Sequence, residues 1–247
     1  MIRLQPTIAV FKREFVAYFA TPIAYVFIVI FLFTMGAFTF YIGRFYDNGI
    51  ADLSAFFGYH AWLYLFLVPA IGMRLWAEER RSGTIELLLT LPVPLWSAVL
   101  AKFLAAWAFT GVALALTFPI WLTVNFLGDP DNGVILASYA GSLLMAGGYL
   151  AISAAISAAT TNQVIAFVVS VVVCFLFTIS GAPLVLDVFK AWAPLALVEA
   201  IASFSFLTHF TAISSGVIDA RDLVYFTSLI AMFLFLNVTL LDVRKAG

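Results

Sequence analysis

Charge is scarce in this sequence. Only 10% of its 247 residues are Asp, Glu, Lys or Arg, against about a quarter in a soluble domain, so water is excluded as the solvent for most of the chain. Cysteine is scarcer still. Cys174 stands alone, which excludes an internal disulfide and a cysteine-cluster metal site and leaves a small buried thiol. The two histidines, His60 and His209, lie too far apart for an H-E-x-x-H zinc site or a histidine metal cluster. The four lysines, Lys12, Lys102, Lys190 and Lys245, follow Phe, Ala, Phe and Arg, where a phosphate-cradling loop demands glycine. No G-x-S-x-G elbow occurs either. The chain therefore reads as non-catalytic, with no cofactor and no metal of its own. A net charge of −1 leaves no footprint for nucleic acid.

What remains is apolar: 64% of the residues. Runs of about 20 apolar residues, long enough to cross the hydrocarbon core, fall at 22–43, 58–76, 96–127, 134–159, 164–186 and 223–241. Gly128 to Gly133 reads as a turn between the third and fourth, and Thr160 to Gln163 as the turn of a hairpin between the fourth and fifth. The expected fold is an all-α polytopic membrane domain of six transmembrane helices, occupying 1–247. The first run outlasts a signal-peptide core and shows no cleavage site, so it reads as a retained span.

Six spans put both termini on one face. With the N-terminus in the cytoplasm, nine basic residues are cytoplasmic (Arg3, Lys12, Arg13, Arg74, Arg80, Arg81, Lys102, Arg244, Lys245) and three external (Arg44, Lys190, Arg221). The positive-inside bias selects that orientation. Between Asp187 and Asp222 the chain is too apolar for a solvated loop. A seventh span there would strand Arg244 and Lys245 outside and bury Glu199, at roughly 2.5–3.5 kcal/mol. Short re-entrant helices over 188–218, covered by protein, satisfy both constraints, and Glu199 and His209 become candidates for an external gate.

Over 1–21, Ile8, Phe11, Phe15 and Tyr18 recur at helical spacing with Lys12, Arg13 and Glu14 opposite, as in a helix lying flat on a membrane. This segment is either an anchor alone or an elbow with a further role. Gly147, Ala151, Ala155 and Ala159 repeat every four residues, a smooth stripe suited to close helix packing in lipid. No span carries a central acid or base, which argues against an ion-coupled transporter. His60 and Asn237 fall near span ends, where interfacial hydrogen bonds are expected to satisfy them.

The densest chemistry is Glu78-Glu79-Arg80-Arg81-Ser82-Gly83-Thr84-Ile85-Glu86-Leu87-Leu88, four consecutive charges and a short amphipathic stretch between two spans. Ser82, Gly83 and Thr84 break one helix. Thr84 then caps a second, with Glu86 in its first turn, favoured by the dipole. Two readings fit 78–92. It either floats on lipid with Arg80 and Arg81 on headgroups, or it seats in the groove of a cytoplasmic partner.

The run from Leu75 through Glu78, Glu79, Arg80 and Arg81 to Pro92 resembles the signature of type-2 ABC transporter permeases, particularly the gliding-motility GldF-like branch. Lys12-Arg13-Glu14-Phe15 with Thr21 to Val26, Lys102-Phe103 and Thr161-Asn162-Gln163 are similar to the same branch. The resemblance implies a six-span half-permease in a bacterial inner membrane, paired with a second copy or a homologous permease. It also implies two separate ABC ATPase subunits that hold the ATP and Mg. It makes 78–91 the ATPase-coupling helix, Phe11 to Phe15 part of an elbow helix, and the segment after span five re-entrant.

The expected activity is that of the membrane subunit of an ATP-driven exporter, whose aromatic-rich spans suit lipid-like or amphipathic cargo. The alternative is a mechanotransmission or assembly module working with an extracytoplasmic accessory protein. An ATP-independent channel or scramblase is a third.

Overall fold

The computed structural model describes residues 4–47, 49–85, 93–190 and 192–243. Every regular element among them is helical, which satisfies backbone groups within each segment where lipid cannot. The first helix, α1 (Leu4–Phe19), ends just before Thr21. Pro22, whose missing N–H costs nothing in a first turn, then opens α2 (Pro22–Ala37). That helix runs on through a π-helical turn over Phe38–Ile42.

The stretch 58–76, read above as one span, is divided. It is built from α3 (Ser54–Gly58), α4 (His60–Gly72) and α5 (Arg74–Ser82), with breaks at Tyr59 and Met73. Pro69 within α4 supplies no N–H and crowds the carbonyl four residues back. Gly72 presses so closely on α8 (Asn132–Ala159) that a Cβ would collide with Ser153. Ser157 of α8 repairs the second break. Its hydroxyl accepts the amides of Trp76 at 3.1 Å and Ala77 at 3.0 Å and donates to Met73 O at 2.8 Å.

The third run also breaks, at Leu116 and Thr117, into α6 (Leu95–Ala115) and α7 (Phe118–Leu127). The Thr117 hydroxyl turns back onto Leu114 O at 2.6 Å, and Pro119 sits in the first turn of α7. Asp131 caps α8, accepting from Gly133 and Val134 at 2.8 and 3.2 Å. Asn162 caps α9 (Gln163–Ile179) in the same way. The expected fifth span, 164–186, stops short at Ile179. Pro183 begins α10 (Pro183–Lys190), turned 74° from α9, because Gly181 is pinned against Ser205 and Thr208 and proline cannot extend a helix interior. The chain finishes with α11 (Leu195–Ala202), α12 (Phe206–Ser214) at 65° to it, and α13 (Ala220–Val243).

Among the described residues, four helical stretches are long and apolar enough to cross a membrane: Pro22–Ile42, Leu95–Leu127, Asn132–Ala159 and Ala220–Val243. Counting the bent pairs α9–α10 and α11–α12 raises the number to six. That set differs from the six apolar runs of the sequence, for α4 has only 13 residues and a crossing needs about 20.

The hub is α8, with 78% of its most apolar window buried. A Cβ on Gly147 would lie 2.9 Å from Ile230 of α13 and 3.0 Å from the Trp107 ring of α6, and one on Gly148 3.0 Å from Phe206 of α12. Ala151 and Ala155 are fully buried. The small-residue stripe is thus consumed by packing within the chain, the close approach that replaces hydrophobic drive in lipid.

Candidate coupling site

At the end of α5 the charged motif divides into a buried and an exposed half. Trp76 and Ala77 are buried, Glu78, Glu79 and Arg80 half-buried, and Arg81, Ser82, Gly83 and Thr84 exposed. Gly83 stops the helix in the left-handed region, φ 73°, where only glycine rests without strain. Ser82 bonds Glu78 O, Glu79 O and the Thr84 hydroxyl. Thr84 also reaches Glu79 O at 3.4 Å, so its side chain is spent on the helix behind it. Ile85 is half-buried against the core. Glu86, Leu87 and Leu88, and the amphipathic helix assigned to them, lie outside the described residues.

The element that organises this end is Lys102 of α6, 3% exposed. Its ammonium lies 2.7 Å from Glu79 Oε1 of α5 and 3.3 Å from Glu14 Oε2 of α1, with the Trp76 ring 5.3 Å away. One cation therefore gathers two carboxylates from two other helices. Burial alone pushes the Glu14 carboxyl up, but Lys102 and Arg13, which bonds Glu14 at 2.5 Å, together hold it below its ordinary value. Glu78 turns instead to Arg74 in a two-pronged pair of 2.7 and 3.0 Å. That hydrogen bond, ahead of the opposing effect of burial, lowers its pKa.

The α1 residues singled out above are also distributed. Lys12 and Arg13 are exposed, while Phe11 and Phe15 are half-buried and stack at 5.8 Å. Tyr18 stacks on Phe109 of α6 at 5.0 Å, with Phe19 edge-on to the same ring. The helix is docked on α6 as well as flanking α5.

The two gate candidates are not brought together. Glu199 is exposed on α11. His209 is buried, with Nδ1 2.5 Å from Asp222 Oδ1, Nε2 2.9 Å from Ser203 O, and its ring 3.9 Å from that of Tyr225. Asp222 and Lys102 escaped the sequence reading as site residues. Lys102 could have been found, being the sole charge between Glu86 and Asp129. Asp222 looks like an ordinary span-end acid. The hydrogen bonds expected for His60 and Asn237 are missing: both are buried and their side-chain nitrogens and oxygens meet no partner among the described residues. His60 opens α4 inside a box of Phe31, Phe56, Phe57 and Tyr64, whose rings take the place of polar neighbours.

Residues 46–241 match the ABC-2 family transporter protein family. The chain belongs to that family. It is a multi-pass membrane protein, and members of that family are membrane transport components, typically non-catalytic, that generally partner with ABC ATPase subunits. Over 65 residues this ABC-2 chain is 38% identical to heme exporter protein B of Paracoccus denitrificans (strain Pd 1222). That stretch covers 26% of this chain and 30% of the relative.

Proposed function

We propose that this ABC-2 protein is the permease half of an ATP-driven exporter in a bacterial inner membrane. It pairs with a second copy or a homologous permease and is moved by two separate ATPase subunits that bind ATP and Mg. In this reading both termini are cytoplasmic and residues 78–91 seat in the ATPase groove. The observation that carries it is the buried Lys102 ammonium holding Glu79 of α5 and Glu14 of α1 onto α6. A push on the exposed residues Arg81 to Thr84 is relayed through α5 by this charge contact into α6, and through Ser157 into α8. An ion pair shielded from water is stiff enough for that task, since opening it strands a charge.

The narrower placement in the gliding-motility GldF-like branch rests on the motif runs alone. Cargo is amphipathic in this proposal. The short likeness to heme exporter protein B makes haem, a flat amphiphile, the first compound to assay.

The test is co-reconstitution with the partner ATPase. Reversing both charges, Glu79→Arg with Arg80→Glu, is expected to abolish export and depress ATP turnover about tenfold. Unchanged transport and turnover sink the coupling assignment. Retained turnover without cargo movement, in the wild type, fits force transmission to an extracytoplasmic partner. Passive flux through the chain alone fits a channel or scramblase.

A further inference from the structure

The residues of α1 that the sequence pattern turns toward lipid are largely used elsewhere. Phe15 and Tyr18 pack on the core, and only Ile8 of that set is exposed. Glu14 meets Lys102, and Tyr18 meets Phe109 seven residues farther along α6, so α1 and α6 run side by side in the same direction. The stretch that α6 opens, Leu95–Leu127, is apolar enough to cross a membrane, and α1 leads through Thr21 into another, Pro22–Ile42. A helix held by two crossing helices shares their bilayer, and its outward side meets lipid.

That outward side repeats every four residues, as Ile8, Lys12, Val16 and Ala20, with Arg13 beside Lys12. Ile8 and Val16 are 51% and 65% exposed. The apolar end lies next to Thr21, where the chain enters the membrane, and the two cations stand one turn back from Val16. Long basic side chains so placed lay their stems on apolar surface and carry their charge to the headgroups.

No acid shares this side. Glu14 is taken by Lys102 and Arg13, Glu79 by Lys102 and Glu78 by Arg74. Lys12 pairs with no acid among the described residues. Arg13 gives Glu14 one nitrogen, Nη2, of a guanidinium with five N–H donors, and can hold a second anion. We propose that the outward side of α1 is a seat for anionic phospholipid, with Lys12 and Arg13 on the phosphates and Ile8 and Val16 against the acyl chains. Phosphatidylglycerol offers its phosphate uncompensated. Phosphatidylcholine brings a quaternary ammonium that the same two cations repel.

This goes beyond the coupling reading and does not rest on it, because lipid contact is read with no ATPase present. In a Cys174→Ala background, Val16→Cys carries a fluorophore. The full chain is placed in nanodiscs of equal parts phosphatidylglycerol and phosphatidylcholine, one or the other brominated on its acyl chains, so that quenching reports which lipid stands at the label. A cation near an anionic surface is worth about fivefold in binding. With Arg13 shared by Glu14, phosphatidylglycerol is expected to be enriched about tenfold at the label. Lys12→Gln is expected to lower that enrichment about fivefold, and Lys12→Gln with Arg13→Gln to bring the two lipids to parity. The same label at Val172→Cys, exposed on α9, a helix without a charged residue, is expected to meet both lipids alike.

Equal quenching by the two lipids at position 16 overturns the proposal, as does a preference that survives the double substitution. Quenching by neither also overturns it, by assigning this side of α1 to water or to a second protein chain. If the double variant fails to fold, because Arg13 also serves Glu14, Lys12→Gln alone decides, and an enrichment that it leaves unchanged overturns the proposal.

Discussion

Ser157 holds the amide of Trp76 at 3.1 Å, a contact across 81 residues of chain at the point where the helical ladder between α4 and α5 is interrupted. The same hydroxyl serves Ala77 N and Met73 O, so one side chain replaces the bonds that the break removes. Ser157→Ala leaves two buried amides and a carbonyl without that partner. A loss of about 1–3 kcal/mol is expected, read as a lowered unfolding midpoint in detergent, with Ser157→Thr retaining part of it.

Lys102→Met removes the cation and leaves Glu79 and Glu14 facing each other. Breaking a buried pair on one side costs about 3–5 kcal/mol. Glu79→Gln is expected to cost less, because Glu14 still accompanies the ammonium at 3.3 Å. The double variant is expected to recover part of the Lys102→Met loss. A double-mutant cycle on unfolding free energies measures the coupling, and strict additivity of the two single losses contradicts the direct contact.

Glu14 gives the pH dependence a sign. Its carboxyl sits below the ordinary value of 4.5, so the folded state binds its proton less readily than the unfolded chain does. The stabilisation is present above the unfolded pKa and is lost as the pH falls through the lower, folded one. Acid titration of the wild type against Glu14→Gln is expected to show a stability difference at neutral pH that shrinks below about pH 4.5. A difference that grows in acid contradicts the assignment.

Gly147→Val inserts side-chain atoms where a Cβ already meets Ile230 at 2.9 Å and the Trp107 ring at 3.0 Å. The isoleucine tip can yield, but the indole is fixed by its bond to Leu143 O at 2.8 Å. Overpacking of about 1–3 kcal/mol is expected, together with perturbed Trp107 fluorescence. Gly36→Val meets open space and serves as the control.

Asp222→Asn tests the second buried pair. It leaves His209 with a neutral neighbour at Nδ1 while Ser203 O still takes Nε2. A loss of about 1–3 kcal/mol is expected, and Glu199→Gln, on an exposed face, is expected to change stability by less than about 0.5 kcal/mol.

Helix content, the turn at Ser82 and Gly83, and the packing role of Gly147 were legible in the sequence because each depends on local residue type. The breaks at Met73 and Ile179 were less so. Hydropathy runs unchanged through Pro69 and Gly181, and what bends the chain is a distant neighbour: Ser153 and Ser157 in one case, Ser205 and Thr208 in the other. The motif around Glu79 stands out in the sequence by its charge, but its partners do not, since Glu14, Glu79 and Lys102 are joined only by the fold. His209 was picked out for its type, whereas Asp222, the residue that fixes its ring, carries no distinguishing pattern.

Because Glu14 and Glu79 both lean on the Lys102 ammonium, α1 and α5 are tied to α6 through one buried cation. Rotating α5 away strands Glu79 without its cation, and rotating α1 away takes from Lys102 the second of its carboxylates while Arg13 stays with Glu14, whereas turning all three as a block keeps every pair intact. Any stroke delivered to this end of the molecule is therefore expected to be concerted, with the amino-terminal helix travelling alongside the two it grips.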